Sequence, residues 1–349
     1  MSVHVFHYVE NLVLKNFSIA NIAYNIYLNS KRIGVKNTIA YVKSDQYFNK
    51  IKYKLCIKKF HFFELLNFLK INKVDIIHIH NIWNIYNFVL LAFSKIVNIK
   101  VIISTHGTFL EPALNTKFLK KKIYIMIIRL FLGSNCYFHA QTNDEIKIIK
   151  KNFNNKIFKL LHPVDYKIIK PLKKFDKKMI FLGRINKFKN IDKIIEAFLK
   201  ANLTIEWKLE IYGIQEDKSY LKSLKKKYSS SKNVIIKKPI FSKKDKILVK
   251  KWININFSES ESIGQSIIES AFYFLPSLVP RHISIKGWAN NGGVVTNHDI
   301  KSLSKKIKEV SNWSQIKRFN KGVLINRFVS EKFNSKKVIN LYSKLYNKI

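Results

Sequence analysis

Two segments in the second half of the chain place charged side chains and glycine where a predicted helix begins. In the first, Phe181–Phe198, an apolar strand ends at Gly183, and Arg184 and Lys189 flank a short loop before an amphipathic helix. Glycine lets the backbone approach a ligand closely, and an arginine fork, a lysine ammonium and a helix amino terminus all favour phosphate oxygens. Taken alone, this segment predicts either a diphosphate site or two ordinary surface cations.

The second segment is Ser258–Pro276, in which seven residues separate Glu261 from Glu269 and Gly264 lies between them. It follows a predicted strand and opens a predicted helix, so the amides of residues 264–267 are free to bind phosphate. Glu269, one turn into the helix, could accept bonds from ribose hydroxyls, and Glu261 could face a sugar ring or a developing positive charge. The alternatives are a solvated helix-face carboxylate at Glu269 and a partner of the helix dipole at Glu261.

Short β-branched runs alternate with helical patterns along the whole chain, which predicts an α/β fold with parallel sheets. The predicted strands are Val74–Ile79, Val101–Ser104, Tyr137–Ala140, Met179–Leu182, Lys208–Tyr212, Val234–Ile236 and Trp252–Phe257; the predicted helices include Phe88–Ile96, Asp144–Lys151, Ile191–Lys200, Glu269–Phe274 and Glu331–Ile349. Leu161–Lys174 carries two prolines and no clear period, so it is interpreted as a connector. Two α/β domains favour a ligand site in a cleft between them, at the carboxyl ends of strands.

Together the two segments resemble the nucleotide-binding half of retaining glycosyltransferases of the two-domain GT-B type. The likeness is to family 4 in particular, the group that builds lipopolysaccharide, capsule and exopolysaccharide. The matching residues are Gly183, Arg184, Lys189, Ala197 and Phe198 for the family's G-R-x4-K element with its helix, and Glu261, Gly264 and Glu269 for its E-x7-E element. The resemblance implies two Rossmann-like domains facing across a cleft, with a carboxy-terminal helix that returns to the first domain.

The resemblance also implies roles for individual residues on the donor side. These are donor diphosphate binding for Arg184, Lys189, Gly264 and Gln265, ribose binding for Glu269, and a catalytic contact to the transferred sugar for Glu261. It implies no metal and no cofactor, with a UDP- or GDP-linked sugar as substrate.

The amino-terminal half resembles the same family in two places. Val74–Trp83 (VDIIHIHNIW) is similar to its strand-plus-loop D-[IV]-[IV]-H-x-H segment, and Ser104–Leu114 (STHGTFLEPAL) is similar to its H-G-x5-A-L element. The resemblance implies that His106 is catalytic, near the sugar and the leaving phosphate, and that His80 and Glu111 lie on the acceptor side. For His78, in the first of these two segments, a purely structural histidine in the core is the favoured interpretation.

The resemblance extends to the domain boundary. His162–Asp165 (HPVD) is similar to the N-P-x-D that ends the first domain in this family. The predicted domains are residues 1–168 with a helix at about 333–349, on the acceptor side, and residues 169–332, which bind the nucleotide sugar. One departure stands out: the family's Gly-Gly loop has no counterpart in Glu10–Ser18, which contains no glycine, so no role is assigned there.

The net charge of +42, from 64 Lys and Arg against 22 Asp and Glu, has three explanations. They are polyanion binding, attraction to an anionic membrane, and lysine-rich codon usage on a solvated surface. The charge is spread along the chain and no nucleic-acid-binding consensus occurs, so we expect no nucleic acid partner. A hydrophobic content of 47% excludes wholesale disorder, and two cysteines exclude a disulfide scaffold or a four-cysteine zinc site.

Neither a secretory signal nor a membrane-spanning segment is evident, which predicts a cytoplasmic protein, with attachment to the inner face of the cytoplasmic membrane as a further expectation. Lys117–Leu132 (KFLKKKIYIMIIRLFL) joins basic and apolar residues in one predicted helix. Such a helix either docks at an anionic membrane surface or buries its isoleucines and leucines in the first-domain core.

The functional hypothesis is transfer of a sugar, with retention, from a nucleotide-diphosphate sugar to a saccharide acceptor, expected to be lipid-linked, in cell-surface polysaccharide synthesis. One alternative is a sugar-nucleotide 2-epimerase of the same architecture, which would give an epimerised donor and no glycoside. The other is a non-catalytic protein that binds polyanions or membranes and has no preference for nucleotides.

Overall fold

The computed structural model describes residues 2–13, 17–49, 51–164, 166, 169–241 and 243–349. The chain forms two compact units, unit 1 (Met1–Asp165 with Phe333–Ile349) and unit 2 (Tyr166–Lys332). The last residue of the HPVD element, Asp165, lies outside the described residues, as does position 168, where the sequence places the boundary. Three residues of the glycine-free segment, 14–16, also lie outside them.

The strands within the described residues form one parallel sheet in each unit. Unit 1 has seven strands in the order β3-β2-β1-β4-β5-β6-β7, and unit 2 has six in the order β10-β9-β8-β11-β12-β13. Their bounds are β1 His4–Leu12, β2 Lys36–Ser44, β3 Lys54–Cys56, β4 Ile76–His80, β5 Lys100–Ser104, β6 Cys136–Ala140, β7 Ile157–Lys159, β8 Lys178–Ile185, β9 Lys208–Gln215, β10 Val234–Lys237, β11 Ile253–Ile255, β12 Ser277–Pro280 and β13 Val294–Thr296. The predicted α/β class is confirmed, with a Rossmann-like sheet in each unit.

The first ten described helices connect consecutive strands, as parallel sheets require, and the last three follow the last of these strands. Their bounds are α1 Phe17–Lys31, α2 Phe62–Ile71, α3 Tyr86–Ile96, α4 Glu111–Asn115, α5 Phe118–Phe131, α6 Asn143–Asn152, α7 Ile191–Lys200, α8 Lys218–Lys227, α9 Lys244–Leu248, α10 Gln265–Phe272, α11 Ile300–Ser311, α12 Gln315–Lys332 and α13 Ser335–Lys348. None of the described helices is long and apolar enough to cross a bilayer. The central strands of both sheets are buried on both faces and form the cores of the two units.

The carboxy-terminal helix returns to unit 1, as the sequence predicts. The predicted single helix Glu331–Ile349 is in fact interrupted: α12 ends at Lys332, and the Asn334 side chain caps α13 by accepting a bond from the Lys337 amide at 3.1 Å. Asparagine is a strong helix amino-terminal cap, which favours a new start at this point. The buried face of α13, including Tyr342 and Tyr346, then packs with residues of β1, β4 and α1.

A buried ion cluster stabilises the sheet of unit 2. Glu210, in the middle of β9, accepts bonds from Lys251 at 2.6 Å, Lys237 at 2.7 Å and the Tyr212 hydroxyl at 2.8 Å. Burial opposes ionisation of the Glu210 carboxyl, but the bonds to the two lysines and the tyrosine outweigh it and lower its pKa to about 2, from a reference value of 4.5. The carboxylate is therefore ionised and fully paired at neutral pH.

This cluster predicts acid-sensitive stability. Because the folded-state pKa of Glu210 lies below its unfolded value, its contribution is complete above pH 4.5 and is lost as the pH falls towards about 2. We expect Glu210→Gln to cost about 2 kcal/mol at neutral pH, less than a fully buried pair because Lys237 reaches solvent. Urea unfolding of the variant and the native protein between pH 7 and pH 2 tests this. A constant difference between their midpoints across that range contradicts the assignment.

Candidate functional site

Three neighbouring strands of unit 2 end at one edge of its sheet. The strands β9, β8 and β11 are adjacent and parallel, so the loops that follow them emerge side by side. Arg184 is the next-to-last residue of β8, Glu216 follows β9, and Glu261 lies in the loop after β11. The structure therefore collects residues from both predicted segments at the carboxyl edge, where parallel α/β sheets bind ligands.

Lys189 and Glu261 form an ion pair at this edge. The ammonium lies 2.5 Å from Oε1 of Glu261, and the two side chains are only 14% and 15% exposed. The same oxygen accepts bonds from the Ser258 hydroxyl at 2.9 Å and the Asn256 amide at 3.2 Å. Two residues that lie 72 positions apart in the sequence thus share one polar, largely desolvated site.

The charge state of Glu261 follows from these contacts. Burial alone raises the pKa of this carboxyl, but the adjacent Lys189 charge, together with the bonds from Lys189, Asn256 and Ser258, outweighs it and lowers the pKa. Glu261 is therefore an anion at neutral pH. A fixed negative charge in a site of low solvent access interacts strongly with any positive charge that develops nearby.

Arg184 is held by a carboxylate that sequence reasoning missed. Its Nη1 lies 2.6 Å from Oε1 of Glu216, while the Asn186 side-chain amide binds the other oxygen of Glu216. Arg184 is half-exposed, so an anionic ligand can reach it by competing with Glu216. An acid directly after a strand, in a chain with so few acids, is the signal that could have identified Glu216.

The start of α10 forms the third part of the edge. Gly264 adopts a left-handed conformation with φ 71°, and a Cβ at this position would lie 2.5 Å from Cδ1 of Ile267. Its carbonyl accepts from the Ile267 amide at 2.8 Å, which begins the helix. The amides of Gln265 and Ser266 precede Ile267, the first amide that donates within the helix, so they are available to an anion. Glycine is required here for both its backbone conformation and its lack of a side chain.

Glu269 lies one turn into α10, but it is already paired. Its Oε1 accepts a bond from Nζ of Lys244, the first residue of α9, at 2.5 Å, and the carboxylate remains partly exposed. No pattern in the sequence indicates this lysine partner, because α9 is a short helix outside the E-x7-E element. Binding to a ribose would have to share or displace this bond.

The third acid of this region, Glu259, connects two loops. Its Oε1 accepts a bond from the Asn190 amide at 2.6 Å, and its own backbone amide donates to the Phe188 carbonyl at 2.9 Å. Asn190 has φ 49° and also donates to the Phe257 carbonyl at 3.0 Å. These bonds hold the loop that carries Lys189 against the loop that carries Glu261.

In unit 1, the histidines predicted at strand ends also meet. His80 ends β4 and His106 follows β5, and Nδ1 of His80 lies 3.1 Å from Nε2 of His106. His80 is fully buried, whereas His106 is partly exposed. Glu111 is exposed in the first turn of α4. The structure therefore brings His80 and His106 together and places Glu111 at the surface.

A buried glutamate positions the loop around His106. Glu145, in the first turn of α6, is fully buried, and one of its oxygens accepts from the Gly107 amide and from the Thr105 hydroxyl at 3.2 Å. Its other oxygen accepts from the backbone amide of Gln141 at 2.7 Å. Sequence reasoning missed Glu145, although Thr142-x-x-Glu145 has the spacing of a helix-capping pattern that would have drawn attention to it.

Comparisons with known proteins agree with this geometry. Residues 165–320, which contain the whole edge described in unit 2, match the model of the family Glycosyl transferases group 1. A search of curated proteins found no significant match.

Solved structures share the fold over almost the whole chain. A glycosyltransferase from Rickettsia africae aligns at a TM-score of 0.79 with 14% identity, covering 99% of this chain and 98% of the other. Anabaena Alr3699/HepE, in complex with UDP and glucose, aligns at 0.78 with 9% identity, covering 99% and 100%. WaaG, a glycosyltransferase involved in lipopolysaccharide biosynthesis, aligns at 0.74 with 12% identity, covering 98% and 99%. At these identities the likeness establishes the GT-B fold alone.

Proposed function

We propose that this chain, whose residues 165–320 match the glycosyl transferases group 1 model, is a glycosyltransferase that takes its sugar from a nucleoside-diphosphate donor. The observation that carries the proposal is the buried Lys189–Glu261 pair beside the amino terminus of α10. The cation and the free helix amides of this site suit the anionic diphosphate of such a donor. The anion suits the sugar, which becomes positively charged as its bond to the diphosphate breaks.

On the donor side, Arg184, Lys189 and the amides of Gln265 and Ser266 bind the diphosphate. These groups stabilise the charge that develops on the leaving phosphate, so that no metal ion is needed for this role. The two cations are held by Glu216 and Glu261 before the donor enters, and binding exchanges carboxylate for phosphate partners. The partly exposed carboxylate of Glu269 accepts bonds from the ribose hydroxyls. The Alr3699/HepE structures contain UDP or UDP-glucose, which makes UDP-sugars the first donors to test, before GDP-sugars.

The reaction we propose proceeds with retention of anomeric configuration. The bond from the anomeric carbon to the diphosphate oxygen breaks, and the leaving diphosphate keeps the electron pair. A hydroxyl of the acceptor forms the new bond on the same face and passes its proton to the departing diphosphate oxygen. Glu261 stabilises the positive charge on the sugar, and His106 contacts the sugar near the leaving phosphate. Most of the rate enhancement then comes from positioning and charge stabilisation.

The acceptor we propose is a lipid-linked saccharide at the inner face of the cytoplasmic membrane, in cell-surface polysaccharide synthesis. The support is α5, which buries only Ile125 and Ile128. Its exposed apolar residues are Phe118, Leu119, Ile123, Met126, Ile127 and Leu130. Lysines 117 and 120–122 lie at the start of the same helix. An apolar face beside clustered lysines fits an anionic bilayer surface.

We expect the protein to float with anionic vesicles at low salt through α5. Replacing Met126 and Leu130, 61% and 77% exposed, with glutamate should reduce the bound fraction at least tenfold, because apolar contact is lost and like charges repel. Ile316→Glu is the matched control, since Ile316 is 73% exposed on α12 in unit 2. Equal flotation of all variants, or none for the native protein, contradicts the assignment to α5.

A donor panel tests the proposed function. The full chain is incubated with UDP-, GDP- and CMP-sugars in the presence of EDTA, and hydrolysis, thermal stabilisation and glycoside formation on saccharide acceptors are followed. We expect one donor to raise the melting temperature by mass action and to yield a glycoside of retained configuration. An epimerised donor without glycoside supports the epimerase. Binding of RNA or anionic vesicles without any nucleotide preference supports the non-catalytic alternative.

A further inference from the structure

Histidines are concentrated in the interior of unit 1. Of the ten histidines in the chain, six are buried there, namely His4, His7, His78, His80, His139 and His162. Two of them continue inward from His106 in an unbroken series: His106 Nε2 lies 3.1 Å from His80 Nδ1, and His80 Nε2 lies 3.1 Å from His7 Nδ1. In each of these bonds one nitrogen carries a proton and the other does not, so the tautomer of one ring determines the tautomer of the next.

The inner end of the series is fixed by Asn37. Its side-chain Nδ2 donates to the Val35 carbonyl at 2.7 Å, which turns Oδ1 towards Nε2 of His7 at 3.0 Å. The Ser30 hydroxyl also lies 3.1 Å from this oxygen, but it donates to the nearer Ile26 carbonyl at 2.6 Å. Because a carbonyl oxygen can only accept, His7 must carry its proton on Nε2. Reversing the amide would place two carbonyl oxygens against each other at Val35.

The tautomers of the next two rings follow. Burial lowers the pKa of His7 to about 4, so the ring is neutral and its Nδ1 accepts. His80 therefore donates through Nε2–H and accepts at Nδ1, and His106 donates to it through Nε2–H. The Nδ1 atom of His106 is left with a lone pair. Burial, followed by the neighbouring histidines, lowers the pKa of His80 and His106 well below the usual range, which keeps both rings neutral.

The outer end of the series has unused hydrogen-bonding capacity. Nε2 of Gln141 lies 3.5 Å from Nδ1 of His106, a long contact. Oε1 of Gln141 is buried and has no partner in the part of the chain that the structure describes, and the same holds for Nδ1 of His162, whose ring centre lies 6.0 Å from that of His106. A ligand hydroxyl can donate to Nδ1 of His106 and accept from the side-chain Nε2 of Gln141. Among the described residues, no hydrogen-bonding partner lies closer to Nδ1 of His106 than this side chain at 3.5 Å.

We infer that His7 and His80 are positioning residues. They hold His106 in the tautomer whose Nδ1 accepts a hydrogen bond from a hydroxyl group of the donor sugar or of the acceptor substrate. The identity of the ligand rests on the proposed function. The tautomer of His106 rests only on the hydrogen bonds within unit 1. The specificity consequence is that His106 selects a group that donates, such as a hydroxyl, over an ether or a carbonyl at the same place.

A metal ion is the competing explanation for the buried histidines. His7, His78 and His80 place one ring nitrogen each within 4.8 Å of one another. However, both nitrogens of His78 are already bonded, to the Tyr346 hydroxyl at 2.9 Å and to the Ser104 hydroxyl at 2.7 Å. Metal binding would break one of these bonds as well as the bond between His7 and His80, so the geometry favours the hydrogen-bonded series.

Long-range proton–nitrogen correlation spectra of the ¹⁵N-histidine-labelled full chain test the tautomers directly. At neutral pH we expect His7, His80 and His106 each to carry one proton, on Nε2, with the signals assigned by comparison with single histidine variants. Added Zn²⁺ should leave these signals unchanged. A proton on Nδ1 of His106, or a shift of the His7 and His80 signals with Zn²⁺, overturns the inference.

Substitution of His80 tests the positioning role. His80→Leu removes the acceptor for His106, and we expect a mixture of His106 tautomers and about a tenfold loss of transfer, the value of one hydrogen bond, with unchanged affinity for UDP. His80→Gln keeps one donor and one acceptor and should restore most of the transfer. If His80→Leu leaves the spectrum of His106 unaltered, or if His80→Gln does not recover transfer while its melting temperature is native, the role is wrong. If the native chain transfers no sugar, the proposed function fails and the spectra still decide the tautomer.

Discussion

Replacing Lys189 with alanine should lower kcat/KM for the nucleotide-sugar donor by at least tenfold, and on the order of 10²-fold. The ammonium is only 14% exposed, so its interaction with a phosphate oxygen is weakly screened by water. A charged hydrogen bond of this kind contributes roughly 1.5–3 kcal/mol, and the contribution grows as charge accumulates on the leaving diphosphate. We therefore expect most of the loss in kcat, and a smaller change in the affinity for the free nucleoside diphosphate.

The control for this variant is Lys187→Ala. Lys187 belongs to the same loop and carries the same charge, but it is exposed. It should retain nearly native turnover. Because Lys189→Ala also leaves Glu261 without its cation, the melting temperature of the variant has to be measured alongside its kinetics. Equal turnover of the two variants, with both proteins folded, contradicts the assignment of Lys189 to the diphosphate.

The sequence predicted those elements whose pattern is local. The helix α7 has the predicted bounds, because its isoleucines recur with a helical period and face the core. The strands β4, β5, β6 and β8 were located from short apolar runs, and the structure extends or shifts them by one to three residues. The alternation of these runs with helical patterns predicts the α/β class, because the connecting helices cover both faces of a parallel sheet and bury its strands.

The elements before residue 72 were not predicted, and β1 shows why. Its sequence HVFHYVENL carries two histidines, a glutamate and an asparagine, yet most of it is buried. His4 and His7 are tolerated because residues far along the chain satisfy their nitrogens, Asn72 and Thr38 for His4, and Asn37 and His80 for His7. A hydrophobicity pattern therefore does not predict this strand, because the hydrogen-bond partners that allow its histidines to be buried come from distant parts of the sequence.

The same limit applies to the candidate site. The sequence identified Arg184, Lys189, Glu261 and Glu269 by type and spacing. It did not identify Glu216 and Lys244, which pair with two of them. One partner lies in the loop after β9 and the other at the start of α9, and these segments reach the site only because of the strand order, which no spacing in the sequence encodes. The ion pairs matter chemically, since they set what a phosphate or a ribose must displace.

Replacing Glu261 with glutamine should cause the largest loss, on the order of 10³-fold in kcat, with little change in the KM for the donor. Glutamine retains the shape of the side chain and can still accept from Ser258 and Asn256. The charge is removed, and with it the stabilisation of a positively charged sugar in a site of low solvent access. Since the pKa of Glu261 is lowered, the native protein should also keep the proposed activity in mild acid, until the carboxyl is protonated.

Glu196→Gln is the matched control, because Glu196 also pairs with a lysine, Lys200 at 2.8 Å, but at a more exposed position on α7. We expect it to lose some stability and to keep most of its turnover. A double-mutant cycle of Glu261→Gln with Lys189→Ala then separates two roles for Glu261. If Glu261 only neutralises Lys189, the double variant loses no more than Lys189→Ala alone. If it acts on the sugar, as we propose, the double variant loses substantially more, because the two groups then stabilise opposite charges at the two ends of the breaking bond.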